Sequence, residues 1–151
     1  MLQIGEKIPL DVYVKDINDQ KVSLSNYLGN KFVLYFYPKD NTPGCTAEAC
    51  DFRNNHQILK EKGVNVVGVS ADGVKSHKKF KEQHTLPFEL LSDENKNLAN
   101  AFGVITEKKF FGRKVRGIQR STFLIDEKGV INKVWPKVNV EGHINEIINA
   151  L

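Results

Sequence analysis

The stretch Phe32-Val-Leu-Tyr-Phe-Tyr37 is apolar at every position and stops at Pro38. Side chains alternate faces along a strand, so a run of this kind suits a central strand covered on both sides. Val64 to Ser70 has the same character. Ser121 to Asp126 and Val130 to Trp135 are β-rich runs separated by Glu127-Lys128-Gly129, which predicts an antiparallel hairpin with a glycine-containing turn. Between the strands the period changes. Cys45, Ala49, Phe52, His56 and Leu59 recur at i, i+4, i+7, i+11 and i+14, the spacing of one helical face. Lys60 and Lys62 fall in the last turn of this helix, where cations suit the dipole, and Gly63 follows as a left-handed stop. Asp72 is placed to cap a helix through about His84, and Ser92 to cap another ending near Gly103. Val140, Ile144, Ile147, Ile148 and Leu151 stripe a C-terminal helix. The order β, α, β, α, β, α, β, β, α predicts an α/β fold of the thioredoxin-like class, a mixed central sheet with helices on both faces.

Composition narrows this picture. With 151 residues, 40% hydrophobic and 26% charged, and no repeat or linker-like tract, a single domain over residues 1–151 is expected. At this length about 70% of the chain's surface can be buried, so disulfide staples are not needed for folding. The two cysteines therefore need another explanation. The longest apolar run falls far short of the ~18 residues of a membrane span, and no signal peptide or anchor is visible. A cytoplasmic, reducing location is expected, where a close cysteine pair more often serves redox or metal chemistry than structure. The net charge of +4 is concentrated between Lys108 and Arg120, where Lys108, Lys109, Arg113, Lys114, Arg116 and Arg120 lie among Phe110, Phe111, Gly112 and Gly117. This segment reads as a solvated loop or hairpin in preference to a nucleic-acid patch.

The candidate chemistry lies in Pro38-Lys-Asp-Asn-Thr-Pro-Gly-Cys-Thr-Ala-Glu-Ala-Cys50, which joins the buried strand to the first long helix. Pro43 and Gly44 form a tight turn and place Cys45 in the first helical turn. Unpaired N–H groups and the positive dipole end there favour a thiolate over a thiol, so Cys45 is the expected nucleophile. Cys50 cannot join it in an intact helix. Residues i and i+5 lie about 8.6 Å apart at Cα and point roughly 140° apart around the axis, whereas a disulfide needs less than about 7 Å. Any bond between them requires local unwinding.

Pro38-x-x-x-Thr42-x-x-Cys45 resembles the universal active-site motif of the peroxiredoxins, the thiol peroxidases. Phe36-Tyr-Pro-Lys-Asp-Asn-Thr-Pro-Gly-Cys-Thr46, the second cysteine five residues on, Arg120-Ser-Thr-Phe-Leu-Ile-Asp126 and Val22-Ser-Leu-Ser-Asn-Tyr-Leu-Gly29 resemble the peroxiredoxin Q subfamily, also called bacterioferritin comigratory protein. The likeness covers nearly the whole chain. Pro9-Leu-Asp-Val-Tyr13 departs from the usual Pro-x-Phe pattern, a difference expected to touch only an edge strand.

The resemblance implies a peroxidase that reduces hydrogen peroxide and organic hydroperoxides without a cofactor or metal. Cys45 would be the peroxidatic cysteine. Thr42 would accept a hydrogen bond in the thiolate–peroxide network, Arg120 would stabilise thiolate and transition state, and Pro38 would wall the pocket. Cys50 would resolve the sulfenic acid as an intramolecular disulfide, recycled by thioredoxin or a similar dithiol. A monomer is implied, and neither nucleic acid nor membrane is an expected partner. Glu48 could orient a guanidinium or face solvent. Other readings fit the residues less well. A zinc site from Cys45, Cys50 and His56 lacks a C-x-x-C pair and a fourth ligand. A disulfide reductase would present C-x-x-C at this junction. A basic binding protein on the same scaffold would leave Cys45, Thr42 and Arg120 unexplained. His56, His77, His84 and His143 have no partner spacing, and surface or half-buried structural roles are expected for them.

Overall fold

The computed structural model describes residues 1–151. The elements in chain order are β1 (Val14–Lys15), β2 (Lys21–Val22), a 3-10 turn (Leu24–Tyr27), β3 (Lys31–Phe36), α1 (Pro43–Asn54), α2 (His56–Glu61), β4 (Val64–Ser70), α3 (Val74–His84), β5 (Glu89–Ser92), α4 (Asn97–Phe102), β6 (Ile105–Phe110), β7 (Arg113–Ile118), β8 (Ser121–Ile125), β9 (Ile131–Trp135) and α5 (His143–Asn149). Seven strands form one sheet in the order β2-β1-β5-β4-β3-β8-β9, and β6 and β7 form a separate ribbon. β3 runs parallel to β4 and antiparallel to β8, so the sheet is mixed.

The all-apolar sequence of β3 is explained by what covers it. Phe32, Leu34 and Phe36 enter one core with Leu98, Ala99 and Phe102 of α4. Val33, Tyr35 and Tyr37 enter the other, with Cys45, Ala49 and Phe52 of α1, Leu59 of α2, Phe80 of α3 and Ile147 of α5. Helices thus lie on both faces, as the alternation of elements predicts, in a thioredoxin-like architecture. The hairpin β8–β9 turns at Gly129, whose φ of +84° explains the glycine. Gly63 is likewise left-handed at φ +74° behind α2.

Several local expectations are corrected. The long helical stripe is two helices, interrupted at Asn55, whose side chain donates to the Asp51 carbonyl at 2.9 Å and competes with the helical ladder. Gly73, not Asp72, is the N-cap of α3, because the Asp72 carboxylate is already bonded to Ser70 Oγ (2.6 Å) and the Asp40 N–H (2.8 Å). At the start of α4 it is Asp93 that accepts from the N–H groups of Leu98 and Ala99, while Ser92 donates to the Asp72 carbonyl. The C-terminal helix is shorter than its stripe, and Val140 and Leu151 lie outside it. Pro9 to Tyr13 is irregular; the edge strands are β2 and β9.

Candidate active site

The turn between β3 and α1 is shaped by three adjacent residues. Asn41 is left-handed (φ +59°), a conformation asparagine tolerates better than most residues. Thr42 is the extended N-cap of α1 (φ −87°, ψ 152°), and Pro43 occupies the first helical position, where its missing N–H costs nothing. The amide of Thr46 bonds to the Thr42 carbonyl at 2.9 Å. The amides of Gly44 and Cys45 lie before that first bond and have no carbonyl one turn back within the helix. Cys45 therefore sits at the positive end of α1, only 1% exposed, against the apolar face that holds Tyr35, Tyr37 and Phe52. Both cysteines are free thiols, and Cys50, half-buried, lies further along the same unbroken helix.

The sequence places Arg120 75 residues from Cys45, yet its Nη2 donates to Cys45 Sγ at 3.2 Å. The arginine lies between β7 and β8 and enters the site because β8 pairs with β3, the strand that leads into the cysteine turn. Gly44 leaves room for it: a Cβ there would lie 3.1 Å from Arg120 Nη2. The other end of the guanidinium is fixed by Glu48, whose Oε1 accepts from Nη1 at 2.7 Å. Glu48 is 2% exposed, so of the two readings left open for it the structure selects the one that orients the guanidinium. Burial pushes its carboxyl up to about 7 against the opposing pull of Arg120. Burial pulls Arg120 down, but Glu48 and Cys45 outweigh it and hold the guanidinium above its ordinary value. It is a fixed cation in contact with the thiol.

Thr42 and Pro38 occupy different parts of this site. The Thr42 hydroxyl donates to the Lys39 carbonyl at 2.8 Å, which leaves its oxygen free to accept from an incoming O–H. Pro38 is exposed and, with Arg120, Ile118, Val138, Lys108 and others, lines a cavity of about 300 Å³. Cys50 makes no contact with Arg120 comparable to that of Cys45.

A second buried group adjoins the cysteine turn. The Asp40 carboxylate accepts from Tyr37 Oη (2.6 Å), Ser76 Oγ (2.8 Å) and His77 Nδ1 (2.7 Å), and His77 Nε2 faces the Leu91 carbonyl at 2.9 Å. Both ring nitrogens of His77 thus lie within hydrogen-bond distance of an oxygen, one on the carboxylate and one on the carbonyl. Burial raises Asp40, but its hydrogen bonds and charge interaction with His77, with help from Tyr37 and Ser76, outweigh it and hold the carboxyl below its ordinary value. This network ties the cysteine turn to α3 and corrects the expectation that His77 is a surface or half-buried residue. His143 is buried as well, with Nε2 2.9 Å from Thr122 Oγ1. Asp40, Asp72 and His77 place potential ligand atoms within 4.8 Å of one another, but hydrogen bonds already engage them. Glu48 lies three residues after Cys45 and so on the same helical side, a spacing visible in the sequence. Asp40–His77 has no such local signal.

A thioredoxin-like sheet that delivers one buried thiol, without a C-x-x-C partner, to a fixed guanidinium is the arrangement of the thiol peroxidases. The AhpC/TSA family model matches residues 4–134, and the chain belongs to this family, the peroxiredoxins. It is 50% identical to Peroxiredoxin Bcp of Bacillus subtilis over 150 residues, covering 99% of this chain and 95% of that one. Peroxiredoxin Bcp of Xanthomonas campestris is 43% identical over 131 residues, covering 87% of this chain and 82% of that one. A solved structure of the Xanthomonas campestris bacterioferritin comigratory protein, a study of that protein's alkyl peroxide reduction activity, superimposes with a TM-score of 0.91. Its identity is 37%, over 98% of this chain and 96% of that one. The chain is thus a peroxiredoxin, a thiol-dependent peroxidase, of the Bcp or peroxiredoxin Q kind.

Proposed function

We propose that Cys45 is the peroxidatic residue, that Cys50 resolves it, and that residues 1–151 act as one catalytic domain, monomeric and cytoplasmic, recycled by thioredoxin or a similar dithiol protein. The observation that carries this reading is the 3.2 Å contact from Arg120 Nη2 to Cys45 Sγ at the start of α1. The Cys45 thiolate attacks one peroxide oxygen, the O–O bond breaks, and its electrons leave with the second oxygen as hydroxide or alkoxide, which takes up a proton. Sulfur is oxidised to the sulfenic acid and the peroxide is reduced to water or alcohol. Arg120 stabilises the charge shifting from sulfur to the leaving oxygen, and Glu48 keeps the guanidinium in place. Thr42 accepts the hydrogen bond of the peroxide O–H, and Pro38 walls the approach.

The Cys50 thiolate then attacks the Cys45 sulfenic sulfur, forming a disulfide and expelling hydroxide, which takes up a proton to become water; an external dithiol reduces the disulfide by exchange. Because both cysteines lie in one continuous helix, α1 opens between the two steps. The test is intact mass and far-ultraviolet circular dichroism after one equivalent of peroxide. Wild type loses two hydrogens and part of its helical signal, whereas Cys50→Ser gains one oxygen, keeps its helix and no longer turns over with thioredoxin. A Cys50→Ser variant that turns over normally contradicts the resolving role.

A further inference from the structure

The ribbon β6–β7 takes no part in the seven-stranded sheet. It carries Lys108, Lys109, Arg113, Lys114 and Arg116 against the single carboxylate Glu107. The chain has 22 basic and 18 acidic residues, so the rest of the molecule holds 17 of each. The whole net charge of +4 therefore resides on this one arm. At its tip Phe110 is 65% and Phe111 91% exposed, packed edge to face with ring centroids 4.6 Å apart, and Val115, opposite Lys108 further along the ribbon, is 50% exposed.

The tip is also conformationally costly. Phe111 (φ +50°) and Gly112 (φ +75°) are the central residues of a two-residue hairpin turn that needs positive φ at both. Glycine and asparagine fit such positions, whereas a bulky aromatic side chain is strained there. Lys109 pairs directly with Lys114 across the ribbon, an opposition of like charges. An exposed, strained phenylalanine and a facing pair of lysines weaken the isolated arm, and both become favourable against an anionic, apolar-backed surface.

We propose that this arm docks the protein onto anionic lipid bilayers, with Phe110 and Phe111 entering the boundary between headgroups and acyl chains and the cations gathering acidic headgroups around them. Two features select a bilayer over an acidic protein. The tip presents two exposed aromatic rings at a two-residue turn, which a fluid surface receives without a complementary pocket. The cations also lie on both faces of the ribbon, since Lys108 and Arg113 alternate with Lys109, Lys114 and Arg116. An acidic protein would engage one face, whereas headgroups close around both. This departs from the expectation that no membrane partner exists. The docking is independent of the peroxidase chemistry, although the arm ends next to Arg120 and its residues Lys108 and Val115 line the same cavity as Pro38.

The test is flotation of the reduced, full-length protein with vesicles of phosphatidylcholine alone or mixed with phosphatidylglycerol. Binding is expected at least about tenfold stronger to the mixed vesicles, and lost at about 1 M salt, where the Debye length is about 3 Å. Each cation near the surface contributes about fivefold to partitioning, so Lys109→Ser/Lys114→Ser lowers it about 25-fold. Phe110→Ser/Phe111→Ser lowers it at least about tenfold. Phe111→Asn, which suits the turn, lowers it while leaving the melting temperature unchanged or higher. Peroxide turnover in solution stays at the wild-type level in all three, so a failure of docking is separable from a failure of the peroxidase reading. Equal binding to both vesicle types, or wild-type binding by the variants, overturns the proposal. So does a raised KM for an acidic dithiol protein without any vesicle effect, which assigns the arm to a protein partner. A dimer that Phe110→Ser/Phe111→Ser dissociates also overturns it, assigning the arm to a second copy.

Discussion

Replacing Arg120 separates the chemistry of the site from its stability. In the wild type Glu48 has a carboxyl raised from 4.5 to about 7. A raised value means that its contribution is fully present below about 4.5 and is lost as pH climbs toward 7. That loss amounts to about 3 kcal/mol, after which the curve levels because the folded state is then ionised too. In Arg120→Met the apolar stem of the side chain is kept but the buried carboxyl loses its 2.7 Å partner and stays protonated well above 7. Stability then continues to fall by about 1.4 kcal/mol per pH unit above 7, so the variant's deficit relative to wild type grows by roughly 3 kcal/mol between pH 6 and pH 9. The double variant Glu48→Gln/Arg120→Met removes the titrating group and flattens this dependence. Peroxide reduction falls by about 10² to 10³ in both, because neither holds a cation at Cys45. Urea unfolding at pH 6, 7.5 and 9 and initial rates of peroxide loss read the two effects. A stability deficit equal at pH 6 and pH 9 would show that Arg120 does not neutralise Glu48, and recovery of the rate in the double variant would show that Arg120 does not act on Cys45.

Three further outcomes follow from the geometry. Asp40→Asn should lower the urea midpoint at pH 7, since it breaks the pairing with a buried His77. The carboxyl is held below its ordinary value, so its contribution is present above about 4 and lost at lower pH, and unfolding curves of variant and wild type should converge in acid. Gly44→Ala should lower the peroxide rate about tenfold with little change in unfolding midpoint, because the added methyl meets Arg120 Nη2 at 3.1 Å in a helical turn that accepts alanine. Gly68→Ala should destabilise by about 1–3 kcal/mol, since its Cβ would lie 2.8 Å from Cζ of the rigid Tyr35 ring and 2.9 Å from Leu90 Cδ2; a lower urea midpoint at unchanged slope checks this.

Which features the sequence made legible depends on how far apart the cooperating residues lie. β3 could be read because both of its faces are covered and every position is apolar, and β8–β9 because a glycine turn separates two β-rich runs. β1 and β2 have two residues each, too few for a period to show. The break at Asn55 and the cap by Asp93 depend on which polar side chain reaches which amide, and neighbouring candidates such as Ser92 offer the same chemistry. At the site, the turn and helix start are local and their residues could be named together. Arg120 came only through the resemblance, because no local spacing links residues 75 apart. The Asp40–His77 pair spans 37 residues and was missed for the same reason. Proximity there is a product of sheet pairing and helix packing.

In the proposed chemistry, peroxide meets the protein at Cys45 Sγ, held beneath Arg120. The most direct test is to treat reduced Cys50→Ser protein with one equivalent of peroxide in the presence of a sulfenic-acid-trapping reagent and to map the adduct by peptide mass spectrometry. A single adduct on Cys45 is expected, and no peroxide consumption above background in Cys45→Ser. An adduct elsewhere in the chain, or wild-type consumption by Cys45→Ser, contradicts that role for Cys45.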